Sequence, residues 1–222
     1  MEFKSETELF DFMEQNFYAA ALSDVMDEMG VRNQAIDPGL GIRPLHPDFV
    51  TAGRVYTLVN ALNQREDNPY ELAIKGVDQL QKDSVIVATS IDLINTGIMG
   101  ELTATAMRAR KSRGAVIDGF TRDGRKLLSM NFPTFARGMS PIDTTGRVRV
   151  VDIGCAVTIG GIIINPGEII FADYDGIMVI PKTIEKEVID KTIQRVNEEN
   201  LVRNHLAAGG TMAEAWEKYH VL

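Results

Sequence analysis

Two short stretches carry residue types that suit one chemistry. The first is Gly97-Ile98-Met99-Gly100-Glu101-Leu102-Thr103, and the second is Gly119-Phe120-Thr121-Arg122-Asp123. A helix that opens at Glu101 leaves the backbone N–H groups of Leu102 and Thr103 without intrahelical acceptors, so they can hold a carboxylate. Gly100 lets the backbone approach a ligand closely. Arg122 offers a planar fork for a carboxylate or an enolate oxygen. Asp123 is a hard oxygen ligand of the kind Mg²⁺ takes, since that ion keeps most of its waters and needs few protein groups. Glu101 is placed to hold one of those waters. The same residues also admit a purely structural account, with Arg122-Asp123 as a surface ion pair and Glu101 as a favourable first-turn acid.

The elements that must position these residues are legible around them. The helix pattern runs from about Glu101 to Arg113, with Leu102, Ala106 and Ala109 on one face and Gly114 as its stop. Before it lies Ser84-Val85-Ile86-Val87-Ala88-Thr89, and after it Ala115-Val116-Ile117-Asp118. Both are short, β-branched and nearly continuous, as strands buried on two faces are. Strand, helix and strand make a βαβ unit with parallel strands. In that unit the helix start and the exit of the second strand share one sheet edge, where open α/β sheets bind ligands. Gly100 to Thr103 and Arg122-Asp123 therefore face each other although about twenty residues separate them.

The rest of the chain reads as one domain over 1–222, mixed α/β, with flanking helices within 1–30 and 183–222. Ser5 caps a first helix with Leu9, Phe10, Met13 and Phe17 inward, and a second spans about 19–29 before Gly30. Asp24 and Asp27 fit a solvated helix face. Residues 31–50 are loop, rich in Pro and Gly. A strand covers about 52–61. Asn68 caps a helix with Pro69 at its first position, running to about Leu80. Gly124 to Met130 is a short helix and Thr134 to Arg137 a third parallel strand. Short strands follow at 148–153, 156–159, 162–164, 168–172 and 177–180, punctuated by glycines, which makes an antiparallel second half. A long helix starts near Thr183, Gly209-Gly210 closes it, and Thr211-x-x-Glu214 is a capping box for the last helix.

Composition excludes several classes. With 31 acidic against 23 basic residues the net charge is −8, which leaves no basic excess for nucleic acid. The single cysteine, Cys155, allows no intrachain disulfide and fits a reducing compartment, so a cytoplasmic location is expected, with no membrane partner. Three scattered histidines form no zinc spacing. No strand leads into Gly-x-Gly-x-x-Gly, so a nucleotide or methyl-donor fold has no support. Lys182, just after Pro181 at a helix start, reads as solvated rather than as a Schiff-base lysine.

Gly97-x-x-Gly100-Glu101-Leu102 and Arg113-Gly114-Ala115-Val116-Ile117-Asp118-Gly119-x-x-Arg122-Asp123 together resemble one family. It joins 4-hydroxy-4-methyl-2-oxoglutarate aldolases, which are class II metal-dependent pyruvate aldolases, to RraA-like regulators of ribonuclease E. The likeness continues through Pro133 to Gly138, Gly160 to Glu168 and Ala172 to Pro181, covering roughly residues 20–182. The resemblance implies a β/β/α swivelling-domain-type core and a homotrimer, or a homohexamer of two trimers. It implies Mg²⁺ (or Mn²⁺) at Asp123 and a small 2-keto acid substrate held by Gly100, Leu102, Thr103 and Arg122. Arg122 would stabilise an enolate, and a group near Glu101 would return the proton. The expected reactions are retro-aldol cleavage and oxaloacetate decarboxylation, which share a pyruvate enolate. A C-terminal glutamate of an adjacent subunit completes the metal's water shell in the resembled aldolases, and Glu198 and Glu199 are the nearest matches. Glu101 stands where the better-known aldolases carry aspartate, which puts substrate identity in question. The competing expectation is a regulator that binds and inhibits ribonuclease E without catalysis.

Overall fold

A computed structural model describes residues 2–64, 67–92 and 94–221. Its elements follow from local sequence signals. The Ser5 hydroxyl accepts the Glu8 amide at 3.2 Å and so caps α1 (Glu6–Asn16). Helix α2 (Ala19–Glu28) follows, and Gly30 takes the left-handed conformation behind it. The loop after it contains a two-residue strand, β1 (Arg43–Pro44). Then come β2 (Thr51–Leu62), α3 (Glu71–Asp78), β3 (Ser84–Ser90), β4 (Gly97–Met99), α4 (Glu101–Ala109), β5 (Gly114–Thr121), α5 (Gly124–Ser129) and β6 (Thr134–Met139). The second half holds β7 (Val148–Ile153), β8 (Val157–Ile159), β9 (Ile162–Ile164), β10 (Ile169–Ala172) and β11 (Ile177–Ile180). Helices α6 (Glu185–Ala207) and α7 (Met212–Tyr219) end the chain, and Thr211 and Glu214 form the expected capping box.

Among the described residues, nine strands form one curled mixed sheet with the path β1-β6-β5-β3-β2-β10-β11, while β4 pairs with β5 and β7 with β2. Strands β2, β3, β5 and β6 are mutually parallel, as the βαβ pattern requires. The contacts of β10 with β2 and β11, of β7 with β2 and of β8 with β9 are antiparallel.

Two-residue alternation sorts the side chains into separate cores. On β3, Val85 and Val87 face the β8–β9 hairpin, whereas Ile86 and Ala88 face α3 and α4. On β10 and β11, Ile170 and Val179 join the first group, while Phe171 and Ile180 pack under α1, α2 and α6. The central strands are thus buried on both faces, which explains their unbroken β-branched runs. No helix among the described residues is long and apolar enough to cross a membrane.

Four local expectations change. The residue that stops α4 is Lys111, at φ 61°, and not Gly114. Gly114 instead starts β5, because a Cβ there would lie 2.7 Å from the Pro133 carbonyl oxygen. The buried face of α4 carries Ala104 and Met107, and Leu102 is 79% exposed. Asn68 does not cap α3. It sits at φ 45° in a turn, and the helix opens two residues later behind Tyr70, which makes no side-chain cap. Strand β1, two residues long, falls within 31–50, where loop was expected.

Candidate functional site

The site begins at the end of β5. The Thr121 hydroxyl and the Arg122 amide both donate to the Met99 carbonyl, each at 2.8 Å. These bonds clamp β4 alongside β5, in the register Gly97↔Phe120 and Met99↔Thr121. The chain then turns at Gly100 into α4, which sets the helix mouth beside Arg122-Asp123.

The two glycines of Gly97-x-x-Gly100 clear the ground for these two side chains. A Cβ on Gly97 would lie 2.7 Å from both the Arg122 Cβ and the Ser140 carbonyl oxygen. One on Gly100 would lie 2.6 Å from Asp123 Oδ2 and 3.0 Å from Arg122 Cγ. Gly100 is in extended conformation (φ −141°, ψ −170°), so the demand is for space rather than for an unusual backbone. The close approach expected toward a ligand is thus made, in this structure, toward Asp123 and Arg122.

Asp123 has an unusual posture. It is a non-glycine residue at φ 57°, standing at the N-cap of α5, yet its carboxylate makes no capping bond to that helix. Oδ2 instead accepts the Glu101 amide at 3.1 Å, at the mouth of α4. One carboxylate therefore faces a positive helix end that is not its own. The amides of Leu102 and Thr103 come next in that turn and have no intrahelical acceptor. The Glu101 carboxylate accepts the Thr105 hydroxyl at 3.1 Å and lies 3.6 Å from the Lys126 ammonium.

Arg122 is held from the other side. Its Nη1 donates to Asp143 Oδ1 at 2.7 Å. Asp143 in turn accepts the Thr145 amide at 3.2 Å and the Tyr70 hydroxyl at 3.0 Å. The bond from the Thr145 hydroxyl, with those from the Thr145 amide and Tyr70 and the Arg122 charge, holds the Asp143 carboxyl well below the usual carboxylate range, against the opposing effect of burial. Asp143, Tyr70 and Lys126 were not among the residues expected from the sequence. The Asp143-Thr144-Thr145-Gly146 run is a turn signal, but nothing in it points to an arginine twenty-one residues earlier.

The structure thus brings Gly100, Glu101, Leu102, Thr103, Arg122 and Asp123 to one place. Gly100, Leu102, Thr103 and Arg122 line a cavity of about 490 Å³ that extends from the helix mouth between α3, α4 and the sheet. Glu198 and Glu199 do not join them. They lie on α6, which packs on α2 and α7, and burial raises the Glu199 carboxyl against the pull of Arg203.

Among the described residues no group of three or more His, Cys, Asp or Glu side chains converges as a metal-ligand set. The donor chemistry at the mouth of α4 is two carboxylates, Asp123 and Glu101, with no nitrogen or sulfur ligand. That suits a hard cation that retains water, such as Mg²⁺ or Mn²⁺, and does not suit zinc.

Comparison with known proteins places this geometry in context. Residues 19–179 match the RraA-like family, described as Aldolase/RraA. The protein DlpA of Legionella pneumophila is 33% identical over 205 residues, which is 92% of this chain but 32% of the length of DlpA. A protein of Halalkalibacterium halodurans, provisionally named 4-hydroxy-4-methyl-2-oxoglutarate aldolase, is 31% identical over 151 residues, covering 68% of this chain and 69% of that one. Among solved structures, Streptomyces coelicolor RraAS2, described as an unusual member of the RNase ES inhibitor RraA protein family, superposes with a TM-score of 0.78. That match covers 89% of this chain and 98% of the other, and at 21% identity it speaks for the fold alone.

Proposed function

The chain belongs to the RraA-like (Aldolase/RraA) family, and on that premise we propose that it is a divalent-metal-dependent carbon–carbon lyase acting on 2-keto acids through a pyruvate enolate. The observation that carries this reading is the posture of Asp123. Aspartate tolerates a left-handed backbone, and six other non-glycine residues among those described adopt it, so the weight rests on where the Asp123 carboxylate is sent. It is turned away from its own helix and into the mouth of another, beside a guanidinium. A surface ion pair requires none of this.

The Leu102 and Thr103 amides would bind the substrate carboxylate at the α4 mouth. Arg122, oriented beforehand by Asp143, would face the C2 oxygen. A divalent cation held by Asp123, with Glu101 on its water, would supply the Lewis acidity that draws electrons from the C2 carbonyl. When the C3–C4 bond breaks, its electron pair passes into the C2–C3 unit and charge develops on the C2 oxygen. In the retro-aldol case Glu101, or a water it holds, would take the C4 hydroxyl proton as the fragment that carried C4 leaves as a carbonyl compound, whereas the C4 carboxylate of oxaloacetate leaves as CO₂ with no proton to lose. Arg122 would stabilise the resulting enolate, the electrostatic contribution that is usually the largest in such reactions. Glu101, or a water it holds beside Lys126, would return one proton to C3. The same family premise supports a homotrimer or a hexamer of two trimers, in which Glu198 or Glu199 would reach a neighbouring subunit's site. Native mass measurement would test the assembly.

The test of function is pyruvate release from oxaloacetate, with and without Mg²⁺, in the wild type and in Arg122→Ala and Asp123→Ala. Metal-dependent turnover lost in both variants is expected. Full activity in either variant would refute the site assignment. Absence of turnover in the wild type, with inhibition of ribonuclease E, would favour a regulator.

A further inference from the structure

The cavity that opens at Arg122 is far larger than a pyruvyl unit needs. About 490 Å³ lies in the range that takes drug-sized ligands rather than three-carbon acids. Beyond Gly100 its walls are aliphatic: Leu58, Ala73, Val77, Ile86, Ala106 and Val150 come from α3, α4 and the sheet. Its rim carries large apolar groups that remain in water, with Ile74 58% and Leu102 79% exposed. Apolar side chains left exposed around a concave apolar surface mark a place where something apolar docks.

Several polar groups along the same walls are already engaged. The Asn60 side-chain amide donates to the Thr89 carbonyl at 3.2 Å. Asp78 is paired with Arg110. The Tyr70 hydroxyl bonds Asp143 and Thr145, and Arg149 donates to the Asn68 carbonyl at 2.6 Å. The Leu102 and Thr103 amides and the Arg122 guanidinium sit together at one end, while Arg149, with one N–H given to a carbonyl, stands on the β7 wall amid the aliphatic lining. A ligand that matches this cavity therefore has an anionic head and an apolar body.

Resting on the keto-acid reading above, we infer that the site selects 2-keto acids bearing an apolar substituent, with the keto-acid head at Arg122 and the α4 mouth and the substituent in the cleft between α3 and α4. The substituent lies on the C4 side of the scissile bond, so in the cleavage direction it leaves with the carbonyl product. The cleft is thus a specificity pocket for that product.

The test is binding, measured by titration calorimetry with Mg²⁺ present, for pyruvate, 2-oxobutanoate, 2-oxopentanoate and 2-oxohexanoate, with 2-oxoadipate as the dicarboxylate matched in length to the last. Affinity is expected to rise about threefold per methylene, a little below the roughly fourfold that full burial gives, and 2-oxohexanoate should bind tighter than 2-oxoadipate. Ala73→Phe, which fills the cleft, should flatten the series. Ile74→Asp, at an exposed position where folding is not at stake, should weaken the longest member at least tenfold relative to pyruvate. A flat series in the wild type overturns the inference. So does tighter binding of 2-oxoadipate, which would assign Arg149 to a distal carboxylate. Oxaloacetate turnover measured in parallel separates the two readings: a chain-length trend without turnover sinks the lyase and keeps the pocket, and turnover with a flat series does the reverse.

Discussion

Gly100→Ala is the substitution that most directly tests the geometry of the site. The added methyl would stand 2.6 Å from Asp123 Oδ2, 3.0 Å from Arg122 Cγ and 3.1 Å from Arg122 Nε, whereas ordinary contact begins at 3.4 Å. The Asp123 oxygen must therefore retreat by about 0.8 Å, and Arg122 by a few tenths. That retreat breaks the bond from the Glu101 amide, which contributes about 1 kcal/mol at this exposed position. Against this, alanine adopts φ −141° freely and restricts the unfolded chain, a gain of about 0.4–1 kcal/mol. The two effects nearly cancel, so Tm should move by no more than about 4 °C. Catalysis should not be spared, because a misplacement near 1 Å of a reacting group costs about a hundredfold. The assay is kcat for pyruvate release from oxaloacetate, with thermal unfolding of the same samples. Gly119→Ala is the control, since its methyl would meet Ile98 Cδ1 at an ordinary 3.5 Å. If Gly100→Ala kept kcat within about threefold of the wild type while remaining folded, the claim that Asp123 and Arg122 act from this arrangement would be wrong.

Further expectations can be checked with stability and rate measurements. Asp143→Asn should lower kcat more than it raises KM, because Asp143 positions Arg122 without reaching the substrate. The native Asp143 carboxyl lies below its ordinary 3.8, so its stabilisation is present above that value and is lost as pH falls through the native value. The Tm gap between wild type and Asp143→Asn should therefore hold from pH 7 to pH 5 and close only in stronger acid. Arg113→Met should destabilise by about 3 kcal/mol, or roughly 6–12 °C in calorimetry, because Arg113 is nearly buried and its one charge is shared by Asp11, Glu14 and the buried Asp83. An unchanged Tm would mean that this cluster does not anchor α1 to the sheet.

Some of this was readable from the residues and some was not, for physical reasons. The strands β7, β9 and β11 fall where alternation and turn residues put them, because Gly146, Gly160-Gly161 and Asp175-Gly176 interrupt the chain locally. The juxtaposition of Gly100 to Thr103 with Arg122-Asp123 also followed from local signals, through the geometry of a parallel crossover. What escaped depends on distant partners. Gly114 reads as a helix stop until the Pro133 carbonyl is seen to leave no room for a side chain. Leu102 reads as core because helical periodicity does not show that the first turn of α4 overhangs a cavity. Asp143 is invisible because its meaning lies in Arg122 and Tyr70, twenty-one and seventy-three residues away.

Tyr70 joins the two halves of the functional argument. Its ring lines the cleft, and its hydroxyl donates to Asp143, whose other carboxylate oxygen accepts from Arg122. A body seated in the cleft against Tyr70 would, on this reading, act through two hydrogen bonds on the group that would meet the developing enolate. Binding energy gathered far from the scissile bond can then be used to fix the guanidinium where charge appears, which raises kcat as well as affinity. If the apolar substituent of a keto acid changes kcat in the wild type but not in Tyr70→Phe, which keeps the ring and removes the bond to Asp143, the cleft and the arginine work as one unit. If Tyr70→Phe preserves the same dependence, the cleft merely holds its ligand.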